Sequence, residues 1–159
     1  MEKKPVSQSQ VIMTEMVLPT HTNSLKTVFG GTVMSWIDIA AAISGQRHAQ
    51  KPVVTASIDD LHFIAPVKSG WVVNLKASVN YVGSTSMEIG VRVDAENPIT
   101  GEYFHTASAY LTFVALNPDG TPAQIPKVFP ETDVEKKRYE QAQVRRKLRL
   151  ERREFFKKK

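Results

Sequence analysis

The chain is 159 residues long, with 42% hydrophobic and 23% charged residues, which is typical of a single globular domain with its own core. Cysteine is absent, and this excludes disulfide bonds, thiolate metal sites and a cysteine nucleophile. The net charge is +5, but residues 131–159 hold twelve basic and six acidic side chains, so the remaining body is close to neutral. A near-neutral body argues against a general nucleic-acid-binding surface.

The first ten residues, MEKKPVSQSQ, are polar and lack the apolar core of a signal peptide. No apolar run in the chain approaches the ~20 residues of a membrane span. We therefore expect a cytoplasmic location and no membrane partner. Because residues 1–10 are polar, we also expect them to form a flexible N-terminus. The segment from Val11 to Leu18 then predicts a short strand that ends at Pro19.

A polar loop from His21 to Phe29 leads to Gly30-Gly31, where the chain can turn tightly or let another group come close. Alanine content and length predict a helix from about Thr32 to His48, with Thr32 helping to cap its start. The part from Val33 to Ile43 is apolar almost all round, so it needs cover on more than one side. A curled sheet and a second subunit would supply that cover.

Four segments after the helix alternate apolar and polar residues, which predicts strands with one buried face. They are Val54–Ile64, Trp71–Val82, Met87–Ala95 and Tyr103–Leu116. In the last of these, the alternation puts His105 on the same face as Ala107 and Leu111. The connections are too short for crossover helices, so neighbouring strands are expected to be antiparallel. This order predicts an α+β fold in which a sheet wraps one central helix.

The chain ends in a segment rich in helix formers, Glu131 to Lys159, with acidic residues early and basic residues late. This order suits the helix dipole and predicts a basic helical tail over residues 131–159. Its apolar residues are too sparse for a substantial core face, so the pattern favours a solvated helix. An RNA-binding role of the tail stays open as an alternative.

One carboxylate, Asp38, interrupts the apolar helix. An ionised carboxylate buried without partners is very costly, so Asp38 must be exposed, paired or protonated, or must serve a function. One interpretation places it at a gap in the sheet or against a neighbouring backbone amide. The other makes it a functional group, because carboxylates in apolar settings cluster at active sites. Composition alone does not decide between them.

Short motifs in a fixed order extend through the domain. They are H-T-N at His21–Asn23, G-G-T-V-M-S-W-I-D at Gly30–Asp38, V-T-A-S-I-D at Val54–Asp59, F-I-A-P-V at Phe63–Val67 and G-S-T-S at Gly83–Ser86. Through them the chain resembles the hotdog-fold acyl-CoA thioesterases, in the group that includes bacterial short-chain and brain-type enzymes. The resemblance implies a hotdog domain over residues 11–130, with a curved antiparallel sheet around one long helix, followed by the basic C-terminal helix. It also implies a homo-oligomer of dimers with shared active sites, assembled as a trimer of dimers.

Hydrolysis of an acyl-CoA to a carboxylic acid and coenzyme A needs a base or a nucleophile, and a donor for the developing oxyanion. The resemblance implies that Asn23 and Asp38 are the catalytic pair and meet from different subunits. Asp38 would act as general base or nucleophile, and Asn23 would orient water or the thioester. Free backbone N–H groups at the helix start, at Gly30 and Gly31, suit the oxyanion.

Coenzyme A carries several phosphate groups, so hydroxyl, amide and basic groups are expected to hold it. The candidates are Thr32, Ser84, Thr85, Ser86, Arg145 and Arg146. A plain hairpin turn at Gly83–Ser86 is a competing interpretation, and so are solubility or subunit contacts for the tail arginines. We expect no metal, and no cofactor beyond the coenzyme A of substrate and product.

Two other functions are compatible with this outline. A hotdog hydratase or dehydratase would need a histidine with a carboxylate in its site, and His21 is the candidate. A regulator that binds acyl-CoA without turnover is the second, although the presence of both Asn23 and Asp38 favours catalysis. The acyl chain length, and the choice between base and nucleophile for Asp38, are not defined by the sequence.

Overall fold

The computed structural model describes residues 1–158, so Lys159, the end of the predicted tail, lies outside the described residues. In chain order the elements are β1 (Lys4–Pro5), β2 (Val11–Met16), α1 (Gly30–Ala49), β3 (Val53–Phe63), β4 (Val72–Val82), β5 (Ser86–Glu96), β6 (Tyr103–Ala115), β7 (Val128–Phe129) and α2 (Asp133–Lys157). Strands β2-β4-β5-β6-β3 form one sheet in this order, and every neighbouring pair is antiparallel. The predicted α+β hotdog architecture is confirmed.

The core lies between α1 and the inner face of this sheet. Ile37 and Ala40 of α1 are fully buried in one apolar cluster with alternate residues of the central strands. Those strand residues include Leu75, Val79, Ile89, Leu111 and Phe113. Full burial of a side chain of this size stabilises the fold by about 1.5–3 kcal/mol. These strand residues follow the alternation of apolar and polar residues in the sequence, so that pattern accounts for most of the inner layer of the core.

Helix α1 begins at Gly30 rather than at Thr32. Phe29 is its N-cap residue, in an extended conformation, and no side chain within residues 1–158 caps the start of the helix. The predicted capping role of Thr32 is wrong, because the N–H of Thr32 already bonds the carbonyl of Phe29 at 3.0 Å inside the first turn. The helix ends at Ala49, where Gln50 adopts the left-handed conformation with φ 52°.

Residues 1–10, which the sequence predicted as flexible, contain a segment that packs on the body. Strand β1 pairs in parallel with β7, and Val6 and Ser9 are buried. The Ser9 hydroxyl donates to the carbonyl of Val6 at 2.7 Å and accepts from the N–H of Val79 at 2.9 Å. A single side chain thus ties a polar segment to β4, and composition does not reveal such a contact.

Helix α2, the predicted basic C-terminal helix, packs with one side on the outer face of the sheet. The Thr132 side chain caps its start by accepting a hydrogen bond from the N–H of Glu135 at 3.1 Å. Ala142 is fully buried, and Tyr139 stands edge-on to Tyr81 with ring centroids 5.1 Å apart. The tail is therefore docked along one side instead of fully solvated. Neither this helix nor any other within residues 1–158 is long and apolar enough to cross a bilayer.

Candidate active site

Asp38 lies in the middle of α1, half-exposed, on the side of the helix next to β3. The hydroxyl of Thr55 on β3 donates a hydrogen bond to Asp38 Oδ1 at 2.6 Å. Thr55 pairs across the sheet with Phe113, whose side chain is buried on the inner face, so Thr55 also points toward α1. One neutral donor thus fixes the orientation of the carboxylate.

The other surroundings of Asp38 are apolar and open. Met34, one turn before Asp38 on α1, is 39% exposed, and Ile39, the next residue, is 49% exposed. None of the ion pairs within residues 1–158 includes Asp38. Asp38 therefore emerges at the edge of the sheet with acceptor capacity beyond the Thr55 bond. Asp38 is thus half-exposed at a gap beside the sheet, as the structural interpretation of its charge predicted, and it is also free to act as a functional group.

Thr55 was not among the site residues predicted from the sequence. It is the second residue of V-T-A-S-I-D, a stretch that entered only as one motif of the resemblance. Threonine is common on half-exposed strands, so nothing except that motif distinguishes Thr55 from its neighbours in the sequence.

The start of α1 presents the backbone N–H groups of Gly30 and Gly31, and no backbone or side-chain acceptor within residues 1–158 engages them. A Cβ at Gly31 would lie 2.6 Å from the exposed ring of Phe29, so a larger residue at position 31 would displace that ring. The rise along α1 from Gly30 to Asp38 is about 12 Å at 1.5 Å per residue. Because reacting groups must approach to about 3 Å, one chain does not place both beside the same thioester carbonyl.

Asn23 is exposed and holds its own loop in shape. Its Oδ1 accepts hydrogen bonds from the N–H of Leu25 at 2.9 Å and of Thr27 at 3.2 Å, while its Nδ2 donates to Thr27 Oγ1 at 3.0 Å. This loop leads directly into the start of α1, so Asn23 belongs to the Gly30 end of the helix. Within residues 1–158 no hydrogen bond joins Asn23 to Asp38.

His21 is engaged in local structure. Its Nδ1 accepts a hydrogen bond from the N–H of Leu18 at 3.1 Å, and its ring stands edge-on to Trp36 with centroids 5.1 Å apart. Its neighbours are thus a backbone amide and an aromatic ring rather than a carboxylate. This environment does not favour the hydratase or dehydratase alternative.

The predicted coenzyme A contacts fall into two groups at opposite ends of α1. Thr32 lies in the first turn of the helix. Ser84 and Thr85 lie in the β4–β5 turn, and Ser86 is the first residue of β5. All three are close to the end of α1, since a Cβ at Gly45 would lie 2.8 Å from Met87. The turn is held by the Gly83 N–H, which donates to the Ser86 carbonyl at 2.8 Å, and by the Ser84 hydroxyl, which donates to Gln124 at 3.2 Å.

The two tail arginines have different surroundings. Arg146 lies beside the β4–β5 turn, with a guanidinium nitrogen 3.5 Å from where a Cβ of Gly83 would be. Arg145 instead donates to both oxygens of Glu88 at 2.7 and 3.1 Å and stacks 3.6 Å over the ring of Tyr110. Burial disfavours the charged guanidinium, but the hydrogen bonds and charge of Glu88 outweigh it and raise the pKa of Arg145. Arg145 is thus engaged in docking α2, and of these two arginines it is Arg146 that adjoins the predicted hydroxyl cluster.

Residues 25–102 match the family model described as the thioesterase superfamily. A protein of Bacillus subtilis (strain 168), described as an uncharacterized acyl-CoA thioester hydrolase, is 42% identical over 134 residues, which cover 84% of this chain and 78% of that protein. A solved apo-hexameric acyl-CoA thioesterase is also 42% identical, with a TM-score of 0.93 over 96% of this chain and 97% of its own.

The acyl-CoA hydrolase of Staphylococcus aureus, solved with butyryl coenzyme A, coenzyme A and coenzyme A disulfide, is 40% identical, with a TM-score of 0.92. The match covers 98% of this chain and 95% of that one. Other structures of that enzyme carry alanine in place of one aspartate, one asparagine or one threonine. These positions have the same order and separations along its chain as Asn23, Asp38 and Thr55 have here. The likeness extends from the fold to the spacing of the candidate site.

Proposed function

Because the chain belongs to the thioesterase superfamily, we propose that it hydrolyses acyl-CoA to a free carboxylic acid and coenzyme A at a site built on Asp38. The observation that carries this function is the Thr55–Asp38 hydrogen bond on an open apolar surface, in a chain 42% identical to an acyl-CoA thioester hydrolase. The apolar side chains suit an acyl chain, and the carboxylate supplies the chemistry.

The Thr55 hydroxyl holds one oxygen of Asp38, which leaves acceptor capacity on the other. Asp38 either takes a proton from the attacking water or attacks the thioester carbonyl itself. In both routes the carbonyl oxygen becomes negative, and donated hydrogen bonds from the N–H groups of Gly30 and Gly31 stabilise it. The carbon–sulfur bond then breaks, and coenzyme A leaves as its thiolate. In the water route this step frees the carboxylic acid directly, whereas in the nucleophile route a water molecule must still hydrolyse the anhydride between the acyl group and Asp38.

A second copy of the chain completes this site. The rise of about 12 Å between Gly30 and Asp38 keeps the donor and the carboxylate of one chain apart, and Asn23 lies at the Gly30 end. A two-fold axis perpendicular to α1 makes the two helices antiparallel, so the Asp38 of one protomer approaches Asn23 and Gly30 of its partner. Catalytic groups from two chains then converge on one thioester.

The surface around Asp38 supports this pairing. Within residues 1–158, strand β3 is bonded only to β6, so it is an edge strand of the sheet, and an open edge is a ready surface for strand pairing. Four large apolar side chains at the Gly30 end of α1 are exposed, with the ring of Phe63 beside Gly30: Leu25 by 80%, Phe29 by 58%, Phe63 by 51% and Ile64 by 64%. Contiguous apolar exposure of this kind marks an interface. We propose a cytoplasmic trimer of such dimers, with no cofactor beyond the coenzyme A of substrate and product.

Subunit mixing tests the shared site. Asp38→Ala and Asn23→Ala are each expected to reduce thiol release from acyl-CoA by about 100-fold or more. Co-expression of the two variants produces mixed dimers in which one site carries both substitutions and the other carries neither. Random pairing then restores about a quarter of wild-type turnover.

Two controls separate the outcomes. Asp38→Ala co-expressed with the Asp38→Ala/Asn23→Ala double variant has no intact site in any dimer and is expected to stay inactive. If both residues act within one chain, the mixed sample stays inactive as well, and the shared site is wrong. If wild-type protein releases no thiol from short- to long-chain acyl-CoAs, the proposed activity itself is wrong.

A further inference from the structure

A second cluster of chemically matched side chains lies on the outer face of the sheet, opposite to the face that carries α1. Ser108 Oγ lies 3.0 Å from His105 Nε2, and His105 Nδ1 lies 3.2 Å from Asp94 Oδ1. When His105 carries its proton on Nδ1, it donates a hydrogen bond to Asp94, and its Nε2 accepts a hydrogen bond from the Ser108 hydroxyl. This is the arrangement that activates a serine hydroxyl for acyl transfer.

A β-bulge creates the arrangement. Strict alternation places His105 and Ser108 on opposite faces of β6, as the sequence pattern predicted. The pairing of β5 with β6 shifts next to Asp94 and leaves Thr106 as an extra residue, which brings both side chains to the outer face. Thr106 is buried, and its hydroxyl donates to the carbonyl of Ala65 at 2.5 Å, so the bulge is anchored.

Asp94 is held in its ionised form. Its side chain is 3% exposed and also accepts hydrogen bonds from Arg92 Nε at 3.1 Å and from the Tyr103 hydroxyl at 3.0 Å. Burial raises the pKa of Asp94, but the hydrogen bonds from Arg92, Tyr103 and His105 outweigh burial and keep the pKa below its ordinary value. An ionised Asp94 fixes the orientation of the His105 ring and stabilises it when it takes up a proton.

Ser108 opens onto a groove of about 380 Å³. Three cations line this groove, Lys76, Arg92 and Arg138, and no aspartate or glutamate of residues 1–158 does. Arg92 on β5 is the direct cross-strand partner of Ser108, which puts its terminal N–H groups within reach of a carbonyl oxygen at Ser108. His62 is the cross-strand partner on the β3 side. The groove therefore favours a small ligand with negative charge.

We propose that Ser108 is the nucleophile of a second hydrolytic site, which acts on small carboxylic esters that carry an anionic group. His105 takes the hydroxyl proton as Ser108 Oγ bonds to the ester carbonyl carbon. The carbon–oxygen bond to the alcohol breaks, and His105 returns the proton so that the alcohol leaves neutral. Water, deprotonated by His105, then attacks the carbonyl carbon of the Ser108 ester. The bond to Ser108 Oγ breaks, His105 passes its proton to Oγ, and the carboxylic acid is released.

The test uses the full-length oligomer, a fluorophosphonate probe and mono-(p-nitrophenyl) succinate. Peptide mapping is expected to place the phosphonyl label on Ser108. His105→Gln is expected to lower the labelling rate by about 100-fold, because it removes the base, and Ser108→Ala to abolish it. The anionic succinate ester is expected to be hydrolysed faster than neutral p-nitrophenyl propionate, and Ser108→Ala to remove this difference.

Ser78 provides the matched control, since it lines the same groove from β4 and, within residues 1–158, has no histidine partner. Equal labelling of Ser78 and Ser108, unchanged labelling in His105→Gln, or no labelling at all would overturn the proposal. If His105→Gln does not fold, Asp94→Asn breaks the same relay and gives the same readout. Asp38→Ala is expected to keep the Ser108 label, and Ser108→Ala to keep acyl-CoA hydrolysis, so the two sites are tested separately.

Discussion

The two faces of the sheet hold carboxylates in opposite states. On the outer face, Glu88 is 6% exposed and accepts two hydrogen bonds from Arg145 and one, at 3.0 Å, from Asn80. On α1, which packs on the inner face, Asp38 is half-exposed, and within residues 1–158 the neutral hydroxyl of Thr55 is its one side-chain donor. A carboxylate whose oxygens are filled by a cation stabilises the fold as part of a buried pair. A carboxylate with one neutral donor can still take a proton or attack a carbonyl.

The largest expected effect is on turnover, at Asp38. Asp38→Asn keeps the size of the side chain and removes its charge and basicity, so kcat for acyl-CoA is expected to fall by about 1,000-fold. The melting temperature should stay close to that of the wild type, since the replaced carboxylate is half-exposed and in no ion pair within residues 1–158. Thiol release and thermal unfolding measure the two quantities. If Asp38→Asn has a clearly lower melting temperature but a normal kcat, Asp38 stabilises the fold and is not the catalytic carboxylate.

Glu88→Gln is expected to do the opposite. Removing one partner of a buried ion pair costs about 3 kcal/mol of folding stability, because Arg145 keeps its buried charge. The kcat of the folded protein should not change, since Glu88 lies on the face away from Asp38. Urea unfolding measures the loss, and the double variant Glu88→Gln/Arg145→Met is expected to recover part of it. A loss that simply adds in the double variant would show that the pair is not coupled.

Some parts of the fold and of the candidate site could be predicted from the sequence, and others could not. Burial with a fixed period predicts α1 and the long strands, and a lone charge among apolar residues predicts Asp38. The hydrogen bond between Thr55 and Asp38 joins β3 to α1. The sequence around a strand threonine contains no feature that shows which residue its hydroxyl will contact. The bulge at Thr106 interrupts the alternation that placed His105 with the buried residues. Such features depend on how strands align in three dimensions, and the local pattern does not contain that information.

Thr55 tests the inner face more finely. Thr55→Val keeps the shape of the side chain and removes the hydroxyl that bonds Asp38 at 2.6 Å. A hydrogen bond to a charged group contributes about 1.5–3 kcal/mol, so kcat is expected to fall by about 10-fold or somewhat more. Thr55→Ser retains the hydroxyl and is expected to keep most of the activity. If the serine and valine variants lose activity equally, the hydroxyl does not position Asp38.

The smallest expected effect concerns His48, which lies on α1 like Asp38 but is fully buried. Its Nε2–H donates to the carbonyl of Pro126 at 2.7 Å. Burial lowers the pKa of His48 below its ordinary value, so the unfolded chain takes up a proton at a higher pH than the folded chain does. Stability is therefore expected to fall as pH decreases through about 6.5, by about 1 kcal/mol between pH 7.5 and 5.5. His48→Gln keeps a donor for Pro126 and removes the titration, so its urea midpoint should lose this part of the pH dependence. If both proteins show the same pH dependence, folding does not hinder proton uptake by His48. The buried part of α1 would then tolerate a charge as well as the exposed position of Asp38 does, and the contrast between these two parts of the helix would not hold.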